Sequence, residues 1–163
     1  TTIELKTIHS AVTSKYLEIE DFEKALREIV NAWRDRESGR NYDLLIEVIC
    51  PKGVQMPAEV KNTLLRIASG AIANAVRHSG VRRDSNVKIS VMVEVFDRRL
   101  KMSVQDTGVG MDLERTKPEY GIGRMKQLVD QLKSKRYDAE FRINSALGKG
   151  TTVAVYINLH PQE

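Results

Sequence analysis

The segment DTGVG, residues 106–110, directly follows a short run rich in apolar residues that predicts a β-strand. Glycines in alternate positions permit positive φ and a close approach of a ligand to the backbone. An ionised carboxylate such as that of Asp106 can only accept hydrogen bonds, so it suits an amine or the edge of a base. The segment alone is equally typical of a strand-to-loop turn, and the flanking sequence has to separate a turn from a ligand site.

Two more glycine clusters lie C-terminal to this segment. The sequence GIG, residues 121–123, comes immediately before a helix that is predicted to start near Arg124 and to end near Arg136. Free backbone N–H groups at the start of a helix form an anion site, often for phosphate. The last cluster, GKGTT at residues 148–152, by itself predicts a tight hairpin connection. Neither a Rossmann fingerprint nor a Walker A loop occurs in the chain.

A helix predicted at residues 58–79 carries a fourth feature. Asn74 lies beside its apolar stripe, with Gly70 four residues before it and Arg77 three residues after it on the same flank. An asparagine carbonyl oxygen can ligate Mg²⁺, and an arginine can pair with phosphate oxygens. Ordinary solvated polar groups on a helix edge are the alternative. His78 projects nearer the middle of the apolar stripe and is interpreted as a packed side chain.

The other periodicities predict a helix, a strand and a helix, then three or four strands with one helix inserted. The first helix covers Phe22 to Trp33, and Gly39 is its stop signal. Strands are predicted at residues 43–50, 87–96 and 100–105, and in two C-terminal runs around residues 139–143 and 153–159. This order favours an α+β fold with a largely antiparallel sheet and helices on one face over a βαβ repeat.

Composition excludes several classes of protein. The 163 residues are the usual size of one domain, and 26 basic against 22 acidic side chains leave a net charge of only +4. The basic residues Arg82, Arg83, Arg98 and Arg99 fall at predicted strand turns and are typical of a solvated rim, so nucleic-acid binding is the weakest interpretation. The single Cys50 excludes an internal disulfide framework. With no long apolar run and no signal peptide in this sequence, we expect a soluble intracellular domain.

The order of the four features resembles the GHKL-type ATP-binding domain shared by gyrase-type topoisomerases, Hsp90 chaperones, sensor histidine kinases and MutL repair proteins. It is most similar to the catalytic domain of bacterial two-component histidine kinases, in the subfamily that signals to response regulators with helix-turn-helix output domains. The run LRIASGAIANAVRH at residues 65–78 carries this resemblance, together with a short lid between Gly110 and Gly121. The resemblance covers residues 21–160 and implies a two-layer α/β sandwich, the Bergerat ATP-binding fold, with a mixed and mostly antiparallel sheet. Residues 1–20 would then be a linker or the tail of an upstream dimerisation hairpin.

The resemblance also implies a set of contacts to the adenosine of ATP. Asp106 would accept a hydrogen bond from the adenine amine, and Thr151 would support that contact through its hydroxyl. Gly108 and Gly110 would let the backbone approach the base and the ribose.

A second set of implied contacts concerns the phosphates. Asn74 would hold the Mg²⁺ that accompanies ATP, and Arg77 would reach the phosphates. Gly121 and Gly123 would free the helix N-terminus for phosphate and let the lid hinge. In such kinases the γ-phosphoryl group moves to a histidine on a separate dimerisation domain, and from there to a response regulator, so the pocket contributes mainly positioning and electrostatics.

Two departures from the family pattern keep other interpretations open. The subfamily has glutamate four residues before the asparagine, whereas this chain has Gly70, so we assign no catalytic residue. His9 resembles the tail of the hairpin or its linker more than a phosphoacceptor. A nucleotide-binding regulatory module with weak or no kinase activity is therefore an alternative, as is a relative of the anti-sigma serine kinases. We expect the isolated domain to be a monomer and to be cytoplasmic, whether or not its parent protein is anchored in a membrane.

Overall fold

The structure is a computed structural model that describes residues 15–37, 44–78, 87–108, 110 and 121–161. The predictions for His9, Gly39, Arg82, Arg83 and the lid at 111–120 lie outside the described residues, as does the side chain of His78. Three helices and five strands make up the described parts of the chain. In order they are α1 (Phe22–Glu37), β1 (Leu44–Ile49), α2 (Ala58–His78), β2 (Val87–Phe96), β3 (Arg99–Asp106), α3 (Ile122–Ser134), β4 (Ala139–Ser145) and β5 (Thr151–Asn158).

The five strands form one sheet in the order β1-β2-β3-β5-β4. Strands β1 and β2 run parallel, and every other neighbouring pair is antiparallel. The parallel pair is joined by α2, which is the crossover that such a pair requires. The predicted mixed and mostly antiparallel sheet is therefore confirmed.

Alternation of side chains along the strands gives the sheet a buried face and an open face. The inward residues of β2 and β3 are apolar and almost fully buried, among them Val91, Val93, Met102 and Val104. The three described helices pack on this face, with Trp33 of α1 and Leu64 of α2 in the core. Most outward residues are polar or exposed, and Phe96 at the end of β2 is 84% exposed. The fold is the predicted two-layer sandwich, with the helices on one face.

Several element boundaries differ from the sequence prediction, those of β3 and α3 among them. Strand β3 extends to Asp106, because this residue is paired with Ile89 on one side and Thr151 on the other. Helix α3 begins at Ile122, two residues before the predicted start, and ends at Ser134. It stops there because Arg136 adopts a positive φ of 70°, and the N–H of Tyr137 turns back to the carbonyl of Leu132.

Hydrogen bonds of three polar side chains stabilise α1 and its packing against α2. The carboxylate of Asp21 caps α1 by accepting a hydrogen bond from the N–H of Lys24 at 2.7 Å. The indole of Trp33 donates to the hydroxyl of Ser69 across the α1–α2 contact. The buried ammonium of Lys61 donates to the carbonyl of Ile19, so residues N-terminal to α1 are also held against α2.

Candidate functional site

One edge of the buried sheet face ends in a row of polar side chains. Asp106 of β3 is paired with Thr151 of β5, and Thr151 is paired with Ser145 of β4. All three occupy inward positions of their strands, one row beyond the apolar row of Val104, Val153 and Ile143. The arrangement combines an apolar floor with hydrogen-bonding groups along one side, as in pockets that bind flat organic ligands.

Backbone contacts hold the carboxylate of Asp106 at the end of β3. Its Oδ1 accepts a hydrogen bond from the N–H of Gly108 at 2.8 Å. The next residue continues the strand pairing, because the N–H of Thr107 donates to the carbonyl of Lys88 at 3.0 Å. The predicted acceptor for a base is thus fixed within a local turn, the arrangement typical of Asx turns.

Two of the glycines have positive φ and sit directly against other parts of the backbone. A Cβ atom on Gly150, which has a φ of +74°, would lie 2.1 Å from the carbonyl oxygen of Asp106. A Cβ atom on Gly110, with a φ of +71°, would lie 2.0 Å from the carbonyl oxygen of Ala146. The chain's own packing therefore requires glycine at both positions, and it brings the DTGVG and GKGTT segments together without any ligand.

On the helical side, Asn74 of α2 meets the start of α3. Its Oδ1 would lie 3.2 Å from a Cβ atom on Gly121, and the residue is only 8% exposed. Within the described part of the chain, the side-chain amide of Asn74 makes no hydrogen bond. An amide can both donate and accept hydrogen bonds, so a ligand that reaches Asn74 can be its partner.

The N-terminus of α3 lies in the same place. Gly121 precedes the helix with a φ of 67°, no side chain of the described residues caps it by a hydrogen bond, and its first turn holds no acidic residue. Gly123 lies within this first turn, where N–H groups have no partner inside the helix. The structure thus brings together Asn74 and Gly121, which sequence reasoning assigned to the phosphate side of the site.

Two further residues from the sequence prediction lie on α2. Arg77 is exposed and follows Asn74 by three residues, so it lies on the same flank. Gly70 is half-buried within an uninterrupted helix, and it contributes no acidic group to the site. The described residues contain no group of three or more His, Cys, Asp or Glu side chains that could hold a metal ion.

Sequence reasoning missed Ser145. Its hydroxyl lies 2.7 Å from that of Thr151 and donates a hydrogen bond to the carbonyl of Gly150 at 3.1 Å. A serine at the end of the strand before the GKGTT turn was the available signal, because antiparallel pairing across that turn places it opposite Thr151.

An apolar floor, a carboxylate at a strand end and a helix N-terminus beside an amide together form a candidate nucleotide site on an α/β sandwich. The chain belongs to the histidine kinase-, DNA gyrase B- and HSP90-like ATPase family, whose model matches residues 59–161. It is an ATP-binding domain of the type found in histidine kinases. No helix in the described ranges is long and apolar enough to cross a membrane.

Two bacterial sensor proteins are similar to this chain. The sensor histidine kinase LiaS of Bacillus subtilis is 28% identical over 105 residues, which cover 64% of this chain and 26% of LiaS. The sensor protein VraS of Staphylococcus aureus is 27% identical over 110 residues, covering 67% of this chain and 29% of VraS. The chain thus spans between a quarter and a third of the length of these relatives.

Solved structures share the fold. The histidine kinase domain of the Erythrobacter litoralis blue-light activated kinase superposes with a TM-score of 0.69 at 22% identity, covering 85% of this chain and 65% of that one. The catalytic domain of the histidine kinase ThkA gives a TM-score of 0.64 at 14% identity, covering 87% and 96%. The predicted sandwich of a histidine kinase catalytic domain is confirmed at the level of the fold.

Proposed function

We propose that this chain binds Mg²⁺-ATP and donates the γ-phosphoryl group to a histidine on a separate dimerisation domain, from which it passes to a response regulator. The observation that carries the proposal is that Asn74 lies beside Gly121 at the start of α3, which no side chain of the described residues caps. Donors of a helix N-terminus beside an amide oxygen suit a phosphate chain and its counter-ion together. Residues 21–160 form the catalytic domain in this proposal, and residues 1–20 lead to it from the dimerisation hairpin.

The adenosine would be held at the polar row of the sheet. Asp106 accepts a hydrogen bond from the adenine amine, and Thr151 supports this contact from the neighbouring strand. Gly108 and Gly110 keep side chains away from the base and ribose. This placement is supported by the row of Asp106 and Thr151 at the rim of the apolar floor.

The phosphates would lie between α2 and α3. Gly121 and Gly123 leave the first turn of α3 open to them, and Arg77 reaches toward them from the flank of α2. The donor set fits Mg²⁺ that arrives with the nucleotide, since this ion takes few protein ligands and completes its shell from phosphates and water. Asn74 is the residue that would hold it, and the ion would supply neutralisation of phosphate charge.

Gly70 sets the limit of the catalytic proposal. A glycine can neither accept a proton nor orient the attacking imidazole, so the pocket would act by positioning and electrostatics alone. The same feature favours the second candidate, a regulatory module that binds nucleotide without transferring phosphate. In either case we place the domain in the cytoplasm, where ATP is available, as a monomer that binds no nucleic acid.

Calorimetric titration with ATP, with and without Mg²⁺, tests the binding step. We expect saturable binding that Mg²⁺ strengthens, and a chain that binds no ATP contradicts the proposal.

Incubation with ATP labelled at the γ-phosphate and an added phosphoacceptor hairpin tests the transfer step. Label on the hairpin histidine supports the kinase, whereas binding without transfer supports the regulatory module. Gly70→Glu is the informative variant, because it should increase transfer more than affinity.

A further inference from the structure

Ser145 is a polar residue at the nucleotide site for which neither the family pattern nor the proposal above assigns a role. It ends β4, lies half-buried, and faces Thr151 across the β4–β5 pair. Among its contacts are a hydroxyl–hydroxyl distance of 2.7 Å to Thr151 and a donated hydrogen bond of 3.1 Å to the carbonyl of Gly150.

The direction of the Ser145–Thr151 hydrogen bond follows from counting protons. Each hydroxyl has one proton and two lone pairs, whereas a carbonyl oxygen can only accept. Ser145 can make both contacts at once only by donating to Gly150 and accepting from Thr151, so we take Thr151 as the donor in the bond between them. The Thr151 oxygen then has only lone pairs left for a ligand.

This orientation makes the base-binding edge an edge of acceptors. Asp106 is paired with Thr151 in the same row, and its ionised carboxylate also accepts only. Two neighbouring acceptors match an exocyclic amine with two N–H groups, either directly or through one water, and they repel a carbonyl oxygen. At the six position of a purine, adenine carries an amine and guanine a carbonyl.

We propose that Ser145 is a positioning residue for base selection. By accepting a hydrogen bond from the hydroxyl of Thr151, it leaves the Thr151 oxygen as an acceptor toward the base. This inference rests on the proposed function, because it concerns the adenine side of the same site. Ser145 itself does not contact the base. Its effect should therefore appear in the discrimination between bases and be absent from the binding of phosphates.

The test compares Ser145→Ala with wild type in titrations with Mg²⁺-ATP, Mg²⁺-GTP and Mg²⁺-tripolyphosphate. Without Ser145, Thr151 can turn its proton toward the pocket, so ATP affinity should fall roughly 5- to 10-fold, the effect of about one hydrogen bond. GTP affinity should stay the same or rise. The ratio of ATP affinity to GTP affinity should therefore fall by about the same factor. Tripolyphosphate has no base, and its affinity should be unchanged.

Two more variants separate an effect on the orientation of the Thr151 hydroxyl from a general disturbance of the sheet. Ser145→Thr keeps the hydroxyl and should retain the wild-type ratio of ATP to GTP affinity. Ser103→Ala makes the same substitution on the outward face of β3 and should change none of the three affinities.

Each remaining outcome decides against the inference. An unchanged ATP-to-GTP ratio in Ser145→Ala overturns it, and so does an equal loss for all three ligands, which would mark a purely structural role. A wild-type chain that binds tripolyphosphate but not ATP overturns the adenine assignment and this inference together. A wild-type chain that binds none of the ligands overturns the proposed function, and no variant is needed to see it.

Discussion

Among the buried polar side chains of helix α2 are Lys61 near its start and Asn74 near its end, and each is 8% exposed. Lys61 is held by the chain itself, since its ammonium donates to the carbonyls of Leu17 at 3.2 Å and Ile19 at 2.6 Å. Asn74 has no such partner in the described part of the chain and faces the open start of α3. We therefore expect equal burial to have two meanings: Lys61 serves the fold, and Asn74 serves a ligand.

The same division applies to the rest of the molecule. Tyr137 and Lys135, which follow α3, both contact the carboxylate of Glu59 in the first turn of α2, at 2.7 Å and 3.2 Å. These contacts close the end of the α2–α3 pair away from the site. Substitutions of polar groups whose hydrogen-bond partners lie within the chain should lower stability and leave ATP affinity unchanged. Substitutions at the candidate site should lower ATP affinity and leave stability unchanged.

Gly150→Ala should have the largest effect and should break this division, because Gly150 serves both the fold and the site. Its Cβ would lie 2.1 Å from the carbonyl oxygen of Asp106, at a φ of +74° that an L-residue tolerates poorly. We expect a loss of roughly 2–5 kcal/mol in the free energy of unfolding, from crowding and backbone strain combined. ATP affinity should fall as well, because Asp106 must shift.

Urea unfolding and ATP titration of the same variant measure both effects. Gly148→Ala is the matched control, since Gly148 also has a positive φ, of +81°, but open space around its Cβ position. It should cost only about 1 kcal/mol of stability and leave affinity intact. Equal losses in the two variants would mean that the contact with Asp106 is unimportant.

Asp106→Asn is expected to have the largest effect on affinity alone. The asparagine keeps an acceptor for the N–H of Gly108, so the turn and the stability should survive. Its amide group can present a donor to the adenine amine, and the charge is lost, so ATP affinity should fall roughly 10- to 100-fold. Calorimetry measures the affinity, and thermal unfolding checks the fold. Asp130→Asn, on the exposed face of α3, is the control, and an unchanged affinity in Asp106→Asn would remove this residue from the adenine role.

Lys61→Met and Asn74→Ala form a reciprocal pair that tests the comparison directly. Lys61→Met leaves two carbonyls without their donor and should lower the free energy of unfolding by about 1–3 kcal/mol, reduced by the relief of a buried charge. Its ATP affinity should stay within about twofold of wild type. Asn74→Ala should weaken Mg²⁺-ATP binding roughly tenfold and keep the stability within about 1 kcal/mol.

Equilibrium unfolding and ATP titration of both variants give the four values needed. If Asn74→Ala lost stability and kept its affinity, Asn74 would be a structural residue like Lys61. Hydrogen exchange adds a readout for Lys61 alone. The amides of residues 15–20 should exchange faster in Lys61→Met, because the ammonium holds this segment against α2.

Periodicity sufficed to predict the fold in outline, because the helices and strands each bury one regular stripe. Strand β2 was predicted with its observed bounds, and the inserted helix was predicted before the last two strands. Local pattern could not show that Asp106 belongs to β3, since partners distant in the sequence, Ile89 and Thr151, hold it in the sheet. The parallel pairing of β1 with β2 is likewise a property of the tertiary structure.

The site was less accessible to sequence reasoning than the fold. Glycine clusters and their order indicated the loops, but the reason for Gly110 and Gly150 is contact with the backbone of Ala146 and Asp106. Ser145 was missed because its importance depends on the proton of a residue across the sheet. No sequence pattern predicts that Lys61 serves the fold and that Asn74 serves a ligand. That difference depends on which atoms lie opposite each side chain.

Tyr137→Phe should show the smallest effect and sharpens the comparison at its structural end. Burial, together with the hydrogen bond to Glu59, raises the pKa of Tyr137 from 10.0 to about 12. A raised phenol pKa stabilises the fold fully below pH 10, and this contribution is lost as the pH rises through 12. The wild-type chain should therefore lose stability over this range.

Tyr137→Phe should lack that alkaline decline and should be less stable by about 1 kcal/mol at pH 7, the effect of one hydrogen bond. Urea unfolding at several pH values between 7 and 12 measures both, with Tyr156→Phe, half-buried on the outward sheet face, as the control. ATP affinity should be unchanged, because the Tyr137–Glu59 contact joins α2 to the end of α3 away from Gly121. Parallel pH profiles for wild type and Tyr137→Phe would mean that other groups control alkaline unfolding, whereas a lower ATP affinity would show that the two ends of α2 are coupled.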